Sequence, residues 1–593
     1  MTTVFSGAGV PGSACFTEGG LMGEHKTSLE KRIFKASIFV LIAHVLFKLA
    51  GLIQAKVMVH YLPQSTFDVV YAFAFENCLF MLFLIGEEVL GPSLMPVFMR
   101  ELDAESETSA WTFANTVLTL QFILLVAVAA VFCIAPHAVV ELLTKWSAVV
   151  SPEKYELAAK SVRTMAPAVI GLSLGSTTYV LLNGYKRFFL AAFGDAVWKF
   201  CVVIFLIVGT VMNRDSAQLL MWGLVAGSVC KVGTHLFGLR DKMHLFRPTF
   251  AVSHPAFKRM CWLALPLLAG IIMAKVRDEY NNVYVLSALD ESGLMQANSI
   301  GKKLQSTLLF LVPYTLSIAV FPFFCELVDK KDHASLGRLV TRFGRMLLSV
   351  FVPFALFVAV AAVPLTSLIF KGGHFDALAV QRTAISLSFY TFMLPAAAIE
   401  MLVMQAFFAN RRMVSVTLIG ILFSSFSMFV SWAGLKLFGH HDLIMLAIIA
   451  GGVTLARTLK CVTLVEMLKK NAPVFPFVNT LLFMLQISLV AGLAAGAGWF
   501  TLHYLGDVMA RGGKEVMSVA AHGVMAVASV VGKGVHIKDS LVNTLGARMG
   551  DLLKLGLTGV VFSIIYFFGA EALRITELRE LFAFVLQKLR KRA

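Results

Sequence analysis

The chain has 593 residues, of which 58% are hydrophobic and only 15% charged, and its mean hydropathy is +0.80. A soluble domain carries about a quarter charged residues, so this balance excludes an ordinary soluble fold and points to a polytopic membrane protein. The net charge of +16 does not indicate nucleic acid, because the basic residues fall in short loops between apolar runs, where they encode membrane topology.

The first residues, "MTTVFSGAGVPGSACFTEGGL", do not read as a cleavable signal peptide. They read as a disordered tail over 1–30, or as an upstream start passed over in favour of Met22. Apolar runs then predict fourteen helical spans, since a bilayer core of about 30 Å takes about 20 apolar residues and leaves no backbone polar group unpaired. The first six cover 33–60, 67–98, 110–135, 160–184, 189–212 and 216–239. The next six cover 257–283, 293–325, 343–370, 381–408, 413–436 and 443–467, and the last two 475–503 and 555–574. The expected fold is all-α, with two parallel six-helix lobes around a central cavity and a C-terminal helix pair. The divisions are an N-lobe over 31–245, a C-lobe over 246–470, helices 13 and 14 within 471–580, and a basic tail over 581–593.

Loop charge orients the spans. Lys31, Arg32, Lys186, Arg187, Arg240, Lys242, Lys330, Lys331, Arg411, Arg412, Lys469 and Lys470 alternate with loops poor in Lys and Arg, such as "HYLPQST". Both termini are therefore expected on the cytoplasmic side of the membrane. The segment 504–554, on the other side, reads as an amphipathic surface segment or a linker.

An internal echo supports the two lobes. "LAGLIQAKV" (49–57) and "LAGIIMAKV" (268–276) open the first and seventh spans and agree at seven of nine positions. Six spans separate them, so both copies face the same way, as parallel repeats flanking a transport site do.

Charges inside spans mark a cavity or a partner. The first span carries Lys48 and Lys56, the second Asp68, Glu76, Glu87 and Glu88, and the fifth Asp195 and Lys199. The seventh ends in Lys275, Arg277, Asp278 and Glu279; the eighth carries Lys302 and Lys303, and the tenth Glu400. Asp195 and Lys199 are one turn apart and suit mutual neutralisation. Lys56, Lys275 and Arg277 are near outer ends and suit snorkelling. Lysines from both repeats meeting in one cavity would suit an anionic headgroup such as a diphosphate. The candidate substrate-binding set is Lys48, Lys303, Lys302, Lys56 and Lys275. The candidate gating or ion-coupling set is Asp68, Glu76, Glu87, Glu88 and Glu400. No Walker A, HExxH or GxSxG motif occurs, and the eight cysteines are isolated, so no enzyme, cofactor, metal site or disulfide framework is expected.

Three stretches carry a family resemblance: "RTMAPAVIGLSLGSTTYVLLNGYKRF" (163–188), "LALPLLAGIIMAKV" (263–276) and "IFKGGHFDALAVQRTAISLSFYTFMLPAAAIEMLVMQAFFANRR" (369–412). In order and spacing they resemble the MurJ (MviN) lipid II flippases of the multidrug/oligosaccharidyl-lipid/polysaccharide exporter superfamily. The resemblance implies alternating access around a cationic cavity, moving an undecaprenyl-diphosphate-linked peptidoglycan precursor to the outer leaflet. The lipid tail would lie near the last two helices, membrane potential or a coupling cation would supply energy, and membrane lipids and cell-wall synthesis proteins would be partners. It implies diphosphate contacts at Lys48 and Lys303, and gating or coupling roles at Asp68, Glu76 and Glu87.

This sequence also departs from the family's pattern. Where the first helix usually carries two arginines, "FKLAGLIQA" (47–55) has Lys48 and Gln54. A second-helix arginine falls near Met81 and Leu82, the eighth-helix arginine on Lys303, and a tenth-helix basic position near Glu400. The rival readings are a flippase for another polyprenyl-linked glycan of O-antigen type, an ion-coupled small-molecule exporter of the same superfamily, and a non-transporting scaffold for the cell-wall machinery.

Overall fold

The computed structural model describes residues 49–104, 106–289, 291–310, 320, 323–410, 412–439, 441–530, 539–575 and 577. The expected tails at 1–30 and 581–593, and the candidate Lys48, lie outside these residues. Among the described residues eleven helices are long and apolar enough to cross a membrane. The pair Ala377–Thr391 and Leu394–Ala409, bent by 42°, makes up to twelve if it forms one span. The other two expected spans, 33–60 and 293–325, fall partly outside the described residues.

In the first half, α1 (49–61) is followed by α2 (Gln64–Asp103), α3 (Glu107–Ile134), α4 (Pro136–Leu143), α5 (Pro152–Gly184), α6 (Phe188–Val211) and α7 (Ser216–Gly238). In the second half run α8 (Pro255–Ala288), α9 (Leu294–Phe310), α10 (His333–Val360), α11 (Ala362–Phe370), α12 (Ala377–Thr391), α13 (Leu394–Ala409), α14 (Met413–Phe438) and α15 (Asp442–Lys469). Short polar side chains start several of them. Ser106, Asp215, Asp332 and Asp376 accept the N–H groups of Ser109, Ala217, Ser335 and Ala379, supplying partners that the first helical turn lacks.

Two local features shape the cavity walls. Residues Phe67–Leu79 of α2 are wound as a π-helix, a form that widens the turn and shifts side-chain register. Prolines inside α2 (Pro92, Pro96), α5 (Pro167), the first part of α8 (Pro266) and α10 (Pro353) each remove a backbone donor and favour a bend. Helix contacts in lipid depend on close approach. In the N-lobe, a Cβ on Gly227 would lie 2.7 Å from the Trp198 carbonyl oxygen, so α6 and α7 touch backbone to side in a way only glycine allows.

The distribution of the core shows where the lobes join. One buried cluster mixes N-lobe residues such as Val59, Leu62, Phe67 and Phe73 with C-lobe residues such as Val285, Phe370, Phe375 and Met445. These lie toward the basic-poor end of the bundle. At the basic-loop end a cluster around Phe98, Trp111 and Leu239 of the N-lobe also takes in Ala256 and Met260 from the start of α8. The C-lobe has another, which it shares with the terminal helices through Phe483, Val490, Phe562 and Tyr566. The lobes thus share a broad core at the basic-poor end, while at the other end the start of α8 packs onto the N-lobe cluster, where Arg259 reaches Glu101 at 3.7 Å.

The described part of the segment 504–554, expected as an amphipathic surface segment or a linker, belongs to two long helices. Helix α16 runs unbroken over Phe477–Val530 and α17 over Asp539–Ala572. The two are packed along each other: a Cβ on Gly569 would meet Val490 at 2.6 Å, and one on Gly550 would meet the Ala510 Cα at 3.0 Å. At about 1.5 Å per residue the 54 residues of α16 exceed twice the depth of a bilayer core. Glycine and charge interrupt the apolar pattern, but Ala, Met and Lys favour helix over the described residues of the segment.

Candidate functional site: a basic cavity beneath an interlobe clasp

At the basic-poor end, four sets of contacts hold the lobes together. Lys56 on α1 donates its ammonium to the carbonyls of Phe370 and Lys371 at 2.7 and 2.9 Å. The His374 N–H donates to the His60 carbonyl at 3.1 Å, and Gln64 reaches Asp376 at 3.4 Å. Gly373 makes this docking possible: its φ is 62°, and a Cβ there would fall 2.1 Å from the His60 oxygen. Asp68, buried on α2, accepts the N–H groups of Gly293 and Gln296 at 2.6 and 2.8 Å, capping α9 of the other lobe. Within the C-lobe, Arg382 ties Glu291 and Asp442 together at 2.9 and 3.3 Å. Lys56 therefore turns inward to backbone oxygens instead of snorkelling.

Beneath this clasp lies a cavity of about 290 Å³ between α2, α8 and α9. Its wall includes Glu76, Asn77, Phe80, Met81, Lys275, Asp278, Asn282, Ser299, Lys302 and Lys303. Three ammonium groups face two carboxylates there. Asp278 takes up part of the positive charge, holding Arg277 at 2.7 Å and Lys302 at 3.0 Å. Glu76 accepts a hydrogen bond from Ser299. Lys275 pairs with Glu88 at 2.6 Å, bridging α8 to α2. The Lys303 ammonium stands 5.7 Å from the centre of the Tyr71 ring, a favourable place for a desolvated cation.

The sequence set is therefore split. Lys303, Lys302, Lys275 and Glu76 share the cavity, and Glu88 adjoins it through Lys275. Lys56 and Asp68 belong to the clasp above it. Glu87 is half-buried among the charges of Asp195, Lys231, Glu88 and Lys199. Glu400 lies in the C-lobe, gripped by Arg457 and Lys460 of α15, each at 2.7 Å.

Several partnerships in the polar interior escaped sequence reasoning. Asp195 holds Lys231 of α7 at 2.5 Å, an interhelical pair with the lysine 1% exposed; the i,i+4 neighbour was the visible signal, and this partner was not. A Cβ on Gly51 would sit 3.4 Å from the Lys199 ammonium and 4.0 Å from Lys303. The bare backbone of α1 thus lets lysines of both lobes converge. Asp278, Lys199, Arg457 and Lys460 are members of the polar interior that the candidate sets omitted. Gln54, at an arginine position of the resembled family, is fully buried, and its amide has no hydrogen-bond partner among the described residues. Among the described residues no group of three His, Cys, Asp or Glu side chains is placed to hold a metal.

The family model described as "Lipid II flippase MurJ" matches residues 58–510. The chain belongs to the MurJ lipid II flippase family. Membership makes this MurJ-family chain a multi-pass membrane protein of a transporter family. It is 26% identical over 209 residues to a probable lipid II flippase MurJ of Rhizobium tropici, covering 34% of this chain and 38% of that protein. It is 24% identical over 242 residues to the lipid II flippase MurJ of Burkholderia cenocepacia, covering 40% and 46%. These alignments span less than half the length of either relative. The fold resembles a solved lipid II flippase MurJ in an inward closed conformation, with TM-score 0.65 and 15% identity over 90% of this chain and 99% of that one. An inward-facing multidrug resistance MATE family transporter matches at TM-score 0.58 and 13% identity over 75% and 95%.

Proposed function

We propose that this chain moves lipid II, a polyprenyl-diphosphate-linked peptidoglycan precursor, from the inner to the outer leaflet of a bacterial cytoplasmic membrane by alternating access. The observation that carries this reading is the cavity in which Lys275, Lys302 and Lys303 gather under the Lys56–Asp68 clasp. A diphosphate entering it would displace Asp278 from Lys302 and meet Lys303 directly. Charge-assisted bonds of this kind are strong where water is excluded. The clasp closes the outer end, and this supports entry from the side bearing the basic loops. Opening the outer end requires Lys56 to leave its carbonyls and Asp68 to leave the start of α9. Membrane potential or a coupling cation supplies the bias between the two states.

The test is replacement in a bacterium depleted of its own lipid II flippase, with precursor at the outer leaflet measured directly. Growth with normal outer-leaflet precursor supports the reading. Failure by a well-expressed, membrane-inserted protein overturns it. A second reading, transport of another polyprenyl-linked glycan, is favoured by one observation: uncharged, buried Gln54 occupies a family arginine position. Rescue of an O-antigen flippase mutant in the same assay would select it.

A further inference from the structure

The C-lobe holds a second basic centre outside the cavity already described. Glu400 on α13 is buried, its side chain 5% exposed, and each carboxylate oxygen has its own cation. One accepts Arg457 Nε at 2.7 Å; the other faces Lys460 Nζ at 2.7 Å. Arg457 and Lys460 are three residues apart on α15 and so share a face. Their side chains remain 31% and 21% exposed although the carboxylate between them is enclosed. The unit carries one positive charge in excess. Arg457 uses Nε for its hydrogen bond among the described residues, which leaves the forked Nη face for another anion.

Helices α13 and α15, which carry this centre, both pack against α9, which carries Lys302 and Lys303 of the cavity. A hydrogen-bonded chain also leads from the cavity into the C-lobe: Asn298 donates to Asn282 at 2.8 Å, and Tyr390 donates to Asn298 at 3.0 Å.

A purely structural ion pair is a poor explanation of two cations on one carboxylate. Desolvating charges is costly, and a third charge beyond neutrality adds to that cost without a partner of its own. We propose that Arg457 and Lys460 form a second anion subsite, specific for a diphosphate, with Glu400 as the resident counter-ion that the ligand displaces. The proposal rests on the flippase reading: Arg457 and Lys460, farther along their helix from the clasp than Lys302 and Lys303 are along theirs, would take the headgroup first and pass it to Lys302 and Lys303 as the lobes rearrange. It also accounts for a basic site in a lobe whose tenth span carries an acid where a base was expected.

The experiment measures binding of geranylgeranyl diphosphate and of inorganic pyrophosphate to the full chain in lipid nanodiscs. Variants Glu400→Gln, Arg457→Gln and Lys303→Gln are compared, each checked for monodispersity. Arg457→Gln leaves Glu400 paired with Lys460 and is the variant least prone to misfold. It is expected to weaken diphosphate binding about tenfold, the loss of one charge-assisted contact. Glu400→Gln is expected to tighten it severalfold. Loss of both probes in Arg457→Gln supports a site for the free anion, and loss of the lipid probe alone supports a lipid-held headgroup. Unchanged affinity in folded Arg457→Gln, with binding weakened in Lys303→Gln, overturns the second subsite and leaves the flippase reading standing. Absence of diphosphate binding to the unaltered chain overturns both.

Discussion

Gly293 donates its backbone N–H to the Asp68 carboxylate at 2.6 Å, across 225 positions of sequence. Gln296 supplies the second donor to the same group. A side chain of the second helix thus caps a helix of the opposite lobe, and the cap exists only while the outer ends are together. Asp68→Asn leaves one acceptor where there were two and turns an NH2 group toward a donor. Losing a cap of this kind costs about 1 kcal/mol, and a buried N–H left unpaired about 1–3 kcal/mol. The outer end is expected to open. Spin labels at Val149 and Leu378, exposed positions at that end, should show a longer and broader distance distribution in Asp68→Asn; an unchanged distribution would remove Asp68 from the gate.

Lys275 and Glu88 make the contact most open to a charge swap. They are 2.6 Å apart, on α8 and α2, with the lysine 12% and the glutamate 45% exposed. Lys275→Glu and Glu88→Lys should each lower the thermal midpoint, and the double swap should recover most of the loss. The coupling energy for a half-exposed pair should be about 1 kcal/mol or less. A cycle with no coupling would mean the two side chains do not depend on each other.

Much of this architecture was legible because it is written along single helices. The apolar runs marked the spans, and the intramembrane lysines at 302 and 303 marked the cavity. What could not be read was pairing between helices. Lys199 was the visible neighbour of Asp195, but Lys231, 36 positions on, holds its carboxylate. Glu400 looked like an isolated acid because its two cations lie on α15, 57 and 60 residues away. Lys56 looked like a snorkelling end-group because a backbone carbonyl 314 positions on leaves no trace in a sequence. The long α16 was obscured for another reason: a helix supported by its hairpin partner needs no continuous apolar stripe.

Outside the membrane, Arg187 grips Asp241 through two hydrogen bonds of 2.6 and 2.7 Å. The guanidinium holds the Asp241 carboxyl down at about 2, from an ordinary 3.8. A depressed carboxyl adds stability that is fully present above its unfolded value and is lost as pH falls through the folded one. Asp241→Asn should therefore lower the thermal midpoint by the same small amount at pH 7 and pH 5. The difference should shrink below about pH 4, be small by pH 2 and vanish only below it. Both partners are partly exposed, so added salt should reduce the difference as well. A gap as large at pH 2 as at pH 7 would show that the substitution acts by some route other than this pair.

Gly550 tests the terminal hairpin. A Cβ there would approach the Ala510 Cα at 3.0 Å, and the neighbouring atoms are backbone, which cannot swing aside. Gly550→Val must therefore push α16 and α17 apart at that level, at a cost of about 1–3 kcal/mol for overpacking. Gly556, six positions on in the same helix, has open space around its Cβ position. Gly556→Ala should hold or raise stability by removing backbone freedom from the unfolded chain. The pair of variants separates packing from helix propensity, since both replace glycine in one helix. Thermal midpoints in detergent, with disulfide formation between cysteines placed at Ala510 and Gly550 as a proximity check, should put Gly550→Val below the unaltered chain and Gly556→Ala at or above it. If both substitutions behave alike, the close approach of the two helices at Gly550 does not support the hairpin.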